Sequence, residues 1–306
     1  MSDLINVDMT ENLCGVEMKN PVTVASGTFG SGLEYNEFVD VSRLGAVTTK
    51  GVALTPWEGN PTPRIAETYG GMMNAVGLQN PGIEEFLKTD IPFLKQKDTK
   101  IIVNVCGHSE EEYVGVVERL QDEPVDLLEI NVSCPNVKEG GIAFGVDPKA
   151  LEHITNEVKK KAKQPVIMKL SPNVTDITEM ARAAVAGGAD ALSLINTLTG
   201  MKIDIRRRTF ALANRTGGLS GPAIHPVAVR MVWQCAQAVK IPIIGMGGIA
   251  SAEDALEMIM AGASAVSIGT ANFHDQTATM KIIDGIQQYL EENSIKDIRE
   301  LIGCVK

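Results

Sequence analysis

Cysteine is sparse and never clustered. Cys14, Cys106, Cys134, Cys235 and Cys304 are scattered along 306 residues, and no two form a CxxC pair. That spacing argues against a zinc or iron–sulfur centre and against a disulfide framework. No metal site is expected, and any iron–sulfur chemistry belongs on another chain. Positive charge is also in deficit: 28 Lys and Arg stand against 38 Asp and Glu, for a formal net charge of −10. Nucleic acids and anionic membranes are polyanions that need clustered cations, so neither is expected as a general partner. The one basic cluster, Arg206 to Arg208, is short and reads as a solvated loop face. Long apolar runs are missing too; none reaches the roughly 18 residues of a membrane span. The opening "MSDLINVDMT" has neither a basic start nor an apolar core. The expectation is a cytoplasmic protein.

What is present is a repeating alternation. Hydrophobic residues make up 44% and charged residues 22%, as in soluble globular proteins. Short apolar runs recur at 21–27, 45–51, 100–107, 126–133, 165–172, 191–197, 241–248 and 265–271. Each is followed by a helical pattern, such as "DITEMARAAVAGGA" or "SAEDALEMIMAGAS", that ends in glycine. The runs are continuous in Val, Ile and Leu, which suits strands covered on both faces. Eight alternations predict an α/β fold, a single (β/α)8 barrel domain over 1–306, with the last strand meeting the first. Two connections, 52–99 and 198–224, are longer than a barrel needs. The first should hold loop or hairpin structure before a helix near 82–96. Both follow strands and so should lie over the carboxyl-end face, where barrel active sites are found. The segment "LCGVEMKNP" predicts a small hairpin plugging the opposite end.

The ends of the eight runs carry Ser26, Lys50, Asn104, Asn131, Lys169, Asn196, Gly247 with Gly248, and Gly269 with Thr270. All are polar or glycine. The last two ends, "GMGGI" and "SIGTA", each precede a helix and offer backbone N–H groups to an anion such as a phosphate. Lys169 stands in an otherwise interior run, "PVIMKLSP". A buried ammonium needs an anion, and the reduced ring of a flavin carries negative charge that a fixed cation would stabilise. Asn74, Asn131, Asn136 and Asn196 offer donors and acceptors together, as a planar imide or ureide ring requires. Cys134 lies among short polar residues just past a strand, in "DLLEINVSCPNVKEGG", where a merely structural cysteine is out of place.

Taken together, "ASGTFGSGLEY", "TTKGV", "GNPTPRIAET", "NAVGLQNPG", "INVSCPN", "MKLSPN", "INT", "GGLSGPA" and "GMGGI" resemble the dihydroorotate dehydrogenases of class 1B, in their FMN-containing catalytic subunit. The resemblance runs from about residue 5 to about residue 300. It implies FMN held by Ser26, Lys50, Gly51, Asn104, Asn131, Lys169, Ile195, Gly221, Gly247, Gly248, Gly269 and Thr270. It implies substrate contacts from Lys50, Asn74, Ala75, Val76, Gly77, Leu78, Asn131, Asn196 and Thr197. Cys134 falls on the family's catalytic base, and Gly140, Gly141 and Gly145 would let its loop close over the site. Class 1B enzymes work with a separate subunit that carries FAD and a [2Fe–2S] cluster and passes electrons to NAD. The resemblance also implies two copies of each chain, a heterotetramer built on a homodimer of this one.

The chemistry agrees. Oxidising dihydroorotate removes a proton from C5, α to a carbonyl, and a hydride from C6, so a base is required. A thiol of pKa about 8.5 serves once its surroundings favour the thiolate. Cys106 is the rival base, though its "NVCGHS" context matches no base motif. Two other readings stay open: an FMN enzyme of dihydrouracil or dihydrothymine, whose substrates lack the carboxylate that Lys50 would meet, and a barrel that binds a phosphorylated metabolite without turnover.

Overall fold

The computed structural model describes residues 7–132 and 144–305. The apolar runs form eight parallel strands: β1 (Val22–Val24), β2 (Ala46–Thr48), β3 (Lys100–Val105), β4 (Leu127–Asn131), β5 (Val166–Lys169), β6 (Ala191–Leu194), β7 (Ile243–Met246) and β8 (Ala265–Ile268). They make one sheet in which β1 pairs with β8 and the remaining strands follow in descending order to β2. The seam between β1 and β2 carries a backbone bond from Gly45 N to Val22 O of 3.0 Å, so the sheet curls into a nearly closed barrel. A β-carbon at Gly45 would lie 1.9 Å from the carbonyl oxygen of Asn20, a contact only glycine avoids. The strands are buried along their lengths, as continuous apolar runs require.

The outer layer is α1 (Ile83–Leu94), α2 (Glu110–Leu120), α3 (Pro148–Lys161), α4 (Ile177–Ala186), α5 (His225–Ala238), α6 (Ala252–Met260), α7 (Ala271–His274) and α8 (Ala278–Glu292). Ser109, Asp147, Asp176 and Ser251 cap α2, α3, α4 and α6 by accepting from backbone N–H groups of the first turn. The first β/α unit departs from expectation. Two short 3₁₀ turns, Tyr35–Glu37 and Val41–Arg43, stand where a helix was predicted. Gly27, Gly30 and Gly32 take φ values of +83°, +58° and +88°, which an α-helix does not accommodate.

The amino-terminal hairpin, Glu11–Leu13 against Val16–Met18, seals one end of the barrel as expected. Leu13 and Met18 pack with Ala46, Ile102, Leu127, Ile167, Ala191, Ile244 and Ala265, the inward residues at the strands' amino ends. At the other end the two insertions do more than cover the mouth. Ile65–Thr68 and Gly71–Asn74 from the first join Leu198–Met201 and Thr216–Ser220 from the second in one four-stranded antiparallel sheet. Sequence patterning placed both insertions on this face without showing that they share a ladder. Beyond it, Ile203–Asp204 pairs with Thr209–Phe210 around the exposed Arg206–Arg208 turn, whose Arg206 and Arg207 N–H groups both reach Asp204 Oδ1 at 3.0 Å. Among the described residues no helix is long and apolar enough to cross a membrane.

Candidate active site

Barrel register brings four side chains together at the carboxyl ends of three strands. Asn104 on β3 stands beside Glu129 on β4, and Asn131 on β4 beside Lys169 on β5. Asn104 Nδ2 donates to Glu129 Oε1 at 2.5 Å, and Lys169 Nζ approaches the same oxygen at 3.4 Å. All four are buried, with Glu129 only 1% exposed. The charge that the sequence reading assigned to a ligand of Lys169 is therefore met first within the barrel, by Glu129. Sequence analysis passed over this carboxylate. The one available signal was a Glu inside the apolar run "DLLEINVS", where an uncompensated charge is costly.

The amides continue around the mouth. Asn131 Nδ2 donates to Asn104 Oδ1 at 3.5 Å, Asn196 Nδ2 to Asn131 Oδ1 at 3.3 Å, and Thr197 N to Asn196 Oδ1 at 2.8 Å. Tyr113, fully buried under this arc, donates its hydroxyl to the Asn131 carbonyl at 2.8 Å. Asn173 steadies the far side, donating to Thr197 O at 3.1 Å and accepting from Thr199 N at 2.9 Å. Asn74 reaches the same mouth through the inserted sheet, where it pairs with Gly218.

The segment Ala75 to Leu78 is fixed from outside. Asn60 holds Ala75 O and Val76 O at 3.0 Å each, through its side chain and backbone N–H. Arg64 donates to Gln79 Oε1 at 2.6 Å and Glu58 O at 3.0 Å, and also bonds Asn60 O. Gly77 takes φ +75°, and a β-carbon there would strike Asn60 at 2.8 Å. Leu78 turns inward so that its Cδ2 lies 3.6 Å from the β-carbon position of Gly51, which also borders Asn104 Oδ1 at 3.2 Å and Cys106 Sγ at 3.4 Å. Lys50 Nζ sits 3.6 Å from the β-carbon position of Gly27, next to Ser26. Burial pushes the Lys50 ammonium below the usual lysine range and Arg64 acts in the same sense, against the opposing influence of Cys106. An anion docking beside it would reverse that shift.

The glycines cluster at the other side of the mouth. Gly221, Gly248, Thr270, Ser251 and Ala271 line a cleft of 570 Å³. Gly247 and Gly248 take φ +131° and +71°, and a β-carbon on Gly248 would lie 2.7 Å from Gly221 O. The β-carbon position of Gly247 is 3.3 Å from the side chain of Ile195, whose N–H bonds Met246 O at 2.9 Å. Gly269 lies against Ala25, whose N–H reaches Ile268 O at 2.8 Å and ties the Ser26 loop to β8. Thr270 donates to Ser220 at 2.8 Å. One expectation changes here. The amino terminus of α6 is closed by a reciprocal capping box of Ser251 and Asp254, whereas α7 starts without a side-chain cap. The backbone that would meet an anion is thus the Gly247–Gly248 turn and the 269–271 turn. His225, another residue missed in the sequence, braces the first by donating Nδ1 to Gly247 O at 2.8 Å.

Every predicted binding residue within the described chain therefore lies around one mouth. Cys134 and Asn136, with Gly140 and Gly141, fall outside the described residues. Of the other cysteines, burial pushes Cys14 up to about 11 and Cys235 up to about 12, as for inert thiols. Cys304 is exposed and Cys106 is fully buried in the wall beside Gly51. The glycine turns and the 570 Å³ cleft beside a cation and an amide arc fit a phosphorylated, ring-bearing cofactor such as FMN.

Comparison with known proteins agrees with this geometry. The family described as dihydroorotate dehydrogenase matches residues 8–290. The dihydroorotate dehydrogenase B (NAD(+)) catalytic subunit of Lachnoclostridium phytofermentans is 69% identical over 99% of this chain and 100% of its own length. The proteins of the same name from Alkaliphilus metalliredigens and Geotalea uraniireducens are 63% and 56% identical, each alignment spanning at least 97% of both chains. With the barrel, its mouth and a match over nearly all of its length in agreement, the chain belongs to the dihydroorotate dehydrogenase family of oxidoreductases.

Proposed function

We propose that this chain is the FMN-binding catalytic subunit of an NAD-linked dihydroorotate dehydrogenase, oxidising dihydroorotate to orotate for pyrimidine synthesis in the cytoplasm. The observation that carries the reading is the amide arc from Asn104 through Asn131 and Asn196, set between the cation of Lys50 and the glycine cleft. Its support is a chain 69% identical to a protein of that name. The barrel and its insertions act as one domain over 1–306.

Ser26, Lys50, Gly51, Asn104, Asn131, Lys169, Ile195, Gly221, Gly247, Gly248, Gly269 and Thr270 would hold FMN. When bound, FMN supplies the two-electron acceptor for the hydride that leaves C6. Asn74 to Leu78, Asn131, Asn196 and Thr197 orient the dihydropyrimidine by matching its donors and acceptors, so that entropy lost on binding is not lost again on reaction. Lys50 faces the substrate carboxylate. Cys134 takes the C5 proton as the C6 hydride departs, leaving a C5–C6 double bond and a protonated thiol. The insertions over the mouth exclude water while this happens.

Electrons then pass to NAD through a separate subunit carrying FAD and [2Fe–2S]. The words "catalytic subunit" in the relatives' name support such a partner, and the scattered cysteines agree that the cluster resides elsewhere. A homodimer of this chain forms the centre of the heterotetramer. Its support is the exposed apolar Met201, Ile203, Ile205 and Phe210 on the second insertion.

An anaerobic titration of the purified chain with dihydroorotate, followed by visible absorbance, tests the reading. Bleaching of the flavin is expected. A yellow protein that bleaches only with dihydrouracil would move the substrate assignment, and a colourless one that takes up no FMN would remove the flavoenzyme reading.

A further inference from the structure

We infer that Glu129 is a positioning residue that sets the direction of the whole asparagine arc, and with it the pattern of donors and acceptors shown to the ligands. The inference deepens the proposed role of the asparagines as ligand contacts and rests on it.

An asparagine amide is nearly symmetrical in shape, so its orientation is dictated by what its neighbours can give or receive. Here both ends of the arc are obligate. At one end Glu129 Oε1 receives from Asn104 Nδ2 at 2.5 Å and from Lys169 Nζ at 3.4 Å, so it acts as an acceptor toward both. At the other end the backbone N–H of Thr197 gives to Asn196 Oδ1 at 2.8 Å and has nothing to accept with. Between them the three amides run in one sense: Asn196 donates to Asn131 and Asn131 to Asn104, at 3.3 and 3.5 Å. Reversing any single amide would set nitrogen against nitrogen or oxygen against oxygen at two links. A buried mismatch of that kind leaves a donor or an acceptor unsatisfied, at the full cost of its desolvation. The three asparagines therefore turn as a unit, and the unit is anchored at its buried end by Glu129.

Asn104 and Asn196 each keep one further N–H and one further lone pair for a ligand. Their positions follow from the sense of the arc. Glu129 is 1% exposed and sits behind Asn104, so it acts on the ligand only through the asparagines.

The test is made at the first link in the full-length chain, with and without FMN. In Glu129→Met the acceptor is gone. In Asn104→Asp, oxygen faces oxygen. In Glu129→Gln the amide oxygen still accepts from Asn104 Nδ2 and Lys169 Nζ, so the sense of the arc is kept. Two readouts are taken: the dissociation constant of orotate from the spectrum of the oxidised, FMN-loaded chain, and the side-chain ¹⁵N–¹H signals of Asn131 and Asn196. Glu129→Met and Asn104→Asp should each weaken orotate at least tenfold and shift or double both signals, and Glu129→Gln should keep a single set near the wild-type positions. Wild-type signals and orotate affinity in Glu129→Met would overturn the inference. So would a loss of affinity with unmoved signals, or signals in Glu129→Gln displaced as far as in Glu129→Met. If the wild-type chain itself does not bind orotate, the ligand reading falls, while the signals still decide the role of Glu129.

Discussion

Thr197 lies across the face of Gly218: a β-carbon on that glycine would stand 2.0 Å from Thr197 Oγ1. The glycine is needed for space, because it pairs in register with Asn74 and carries the ladder that brings Asn74 and Thr197 to one mouth. Gly218→Ala should push Thr197 out of place at a cost of about 1–3 kcal/mol. The expected result is a KM for dihydroorotate raised roughly 5- to 150-fold with FMN content unchanged. Steady-state kinetics beside flavin absorbance would show it, and an unaltered KM would remove Thr197 from the substrate site.

Removal of the proposed base separates binding from chemistry. Cys134→Ala should retain FMN and bind orotate, while flavin reduction by dihydroorotate slows by about 10²–10⁴-fold, the usual contribution of a positioned base. Stopped-flow reduction under anaerobic conditions reads this directly. Reduction at the wild-type rate would exclude Cys134 and turn attention to Cys106.

Lys169→Ala should do harm even before a cofactor is added. The substitution leaves Glu129 buried without the ammonium 3.4 Å away, and breaking one half of a buried ion pair costs roughly 3–5 kcal/mol. Urea unfolding of the FMN-free chain should show a lower midpoint, and FMN affinity should fall as well. A stable FMN-free variant with weakened flavin binding would mean that Lys169 serves the cofactor alone.

The hairpin plug carries a pH dependence. Burial pushes Glu11 up to about 7, against weaker opposing effects of Arg299 and the Asn12 N–H, while Asp297 adds to the rise. Its Oε2 is buried and makes no hydrogen bond among the described residues. The folded state therefore holds a proton that the unfolded chain releases near 4.5, and stability falls as pH rises from about 4.5 through about 7. Glu11→Gln should flatten that fall and make the chain more stable than wild type at pH 8. Thermal unfolding of both proteins across pH 5–8 would reveal the difference, and parallel curves would refute it.

Much of this fold is legible in the sequence. Continuous apolar runs ending in polar residues marked eight strands and the mouth they surround, because a buried parallel strand must be apolar along its length and can turn polar only where it leaves the core. The first helix was expected and is missing, because Gly27, Gly30 and Gly32 take φ values that no helix admits. Other features depend on register between distant segments, which periodicity does not encode. The pairing of Glu129 with Lys169 needs β4 and β5 aligned with Asn131 opposite Lys169. The pairing of Asn74 with Gly218 needs two insertions, more than a hundred residues apart, to share one sheet. The role of Cys134 stands on resemblance and chemical need, since the residue lies outside the described ones.

That shared sheet bears on how such an enzyme can change its substrate. Gly71–Asn74 has its ladder partners in both insertions, Ile65–Thr68 on one side and Thr216–Ser220 on the other. A graft that replaced residues 52–82 alone would bring a strand edge shaped for a different neighbour, and a graft of 198–224 alone would do the reverse. On the proposed substrate site the two insertions thus act as a two-part cassette, and a redesign of this pocket should exchange both loops in one step.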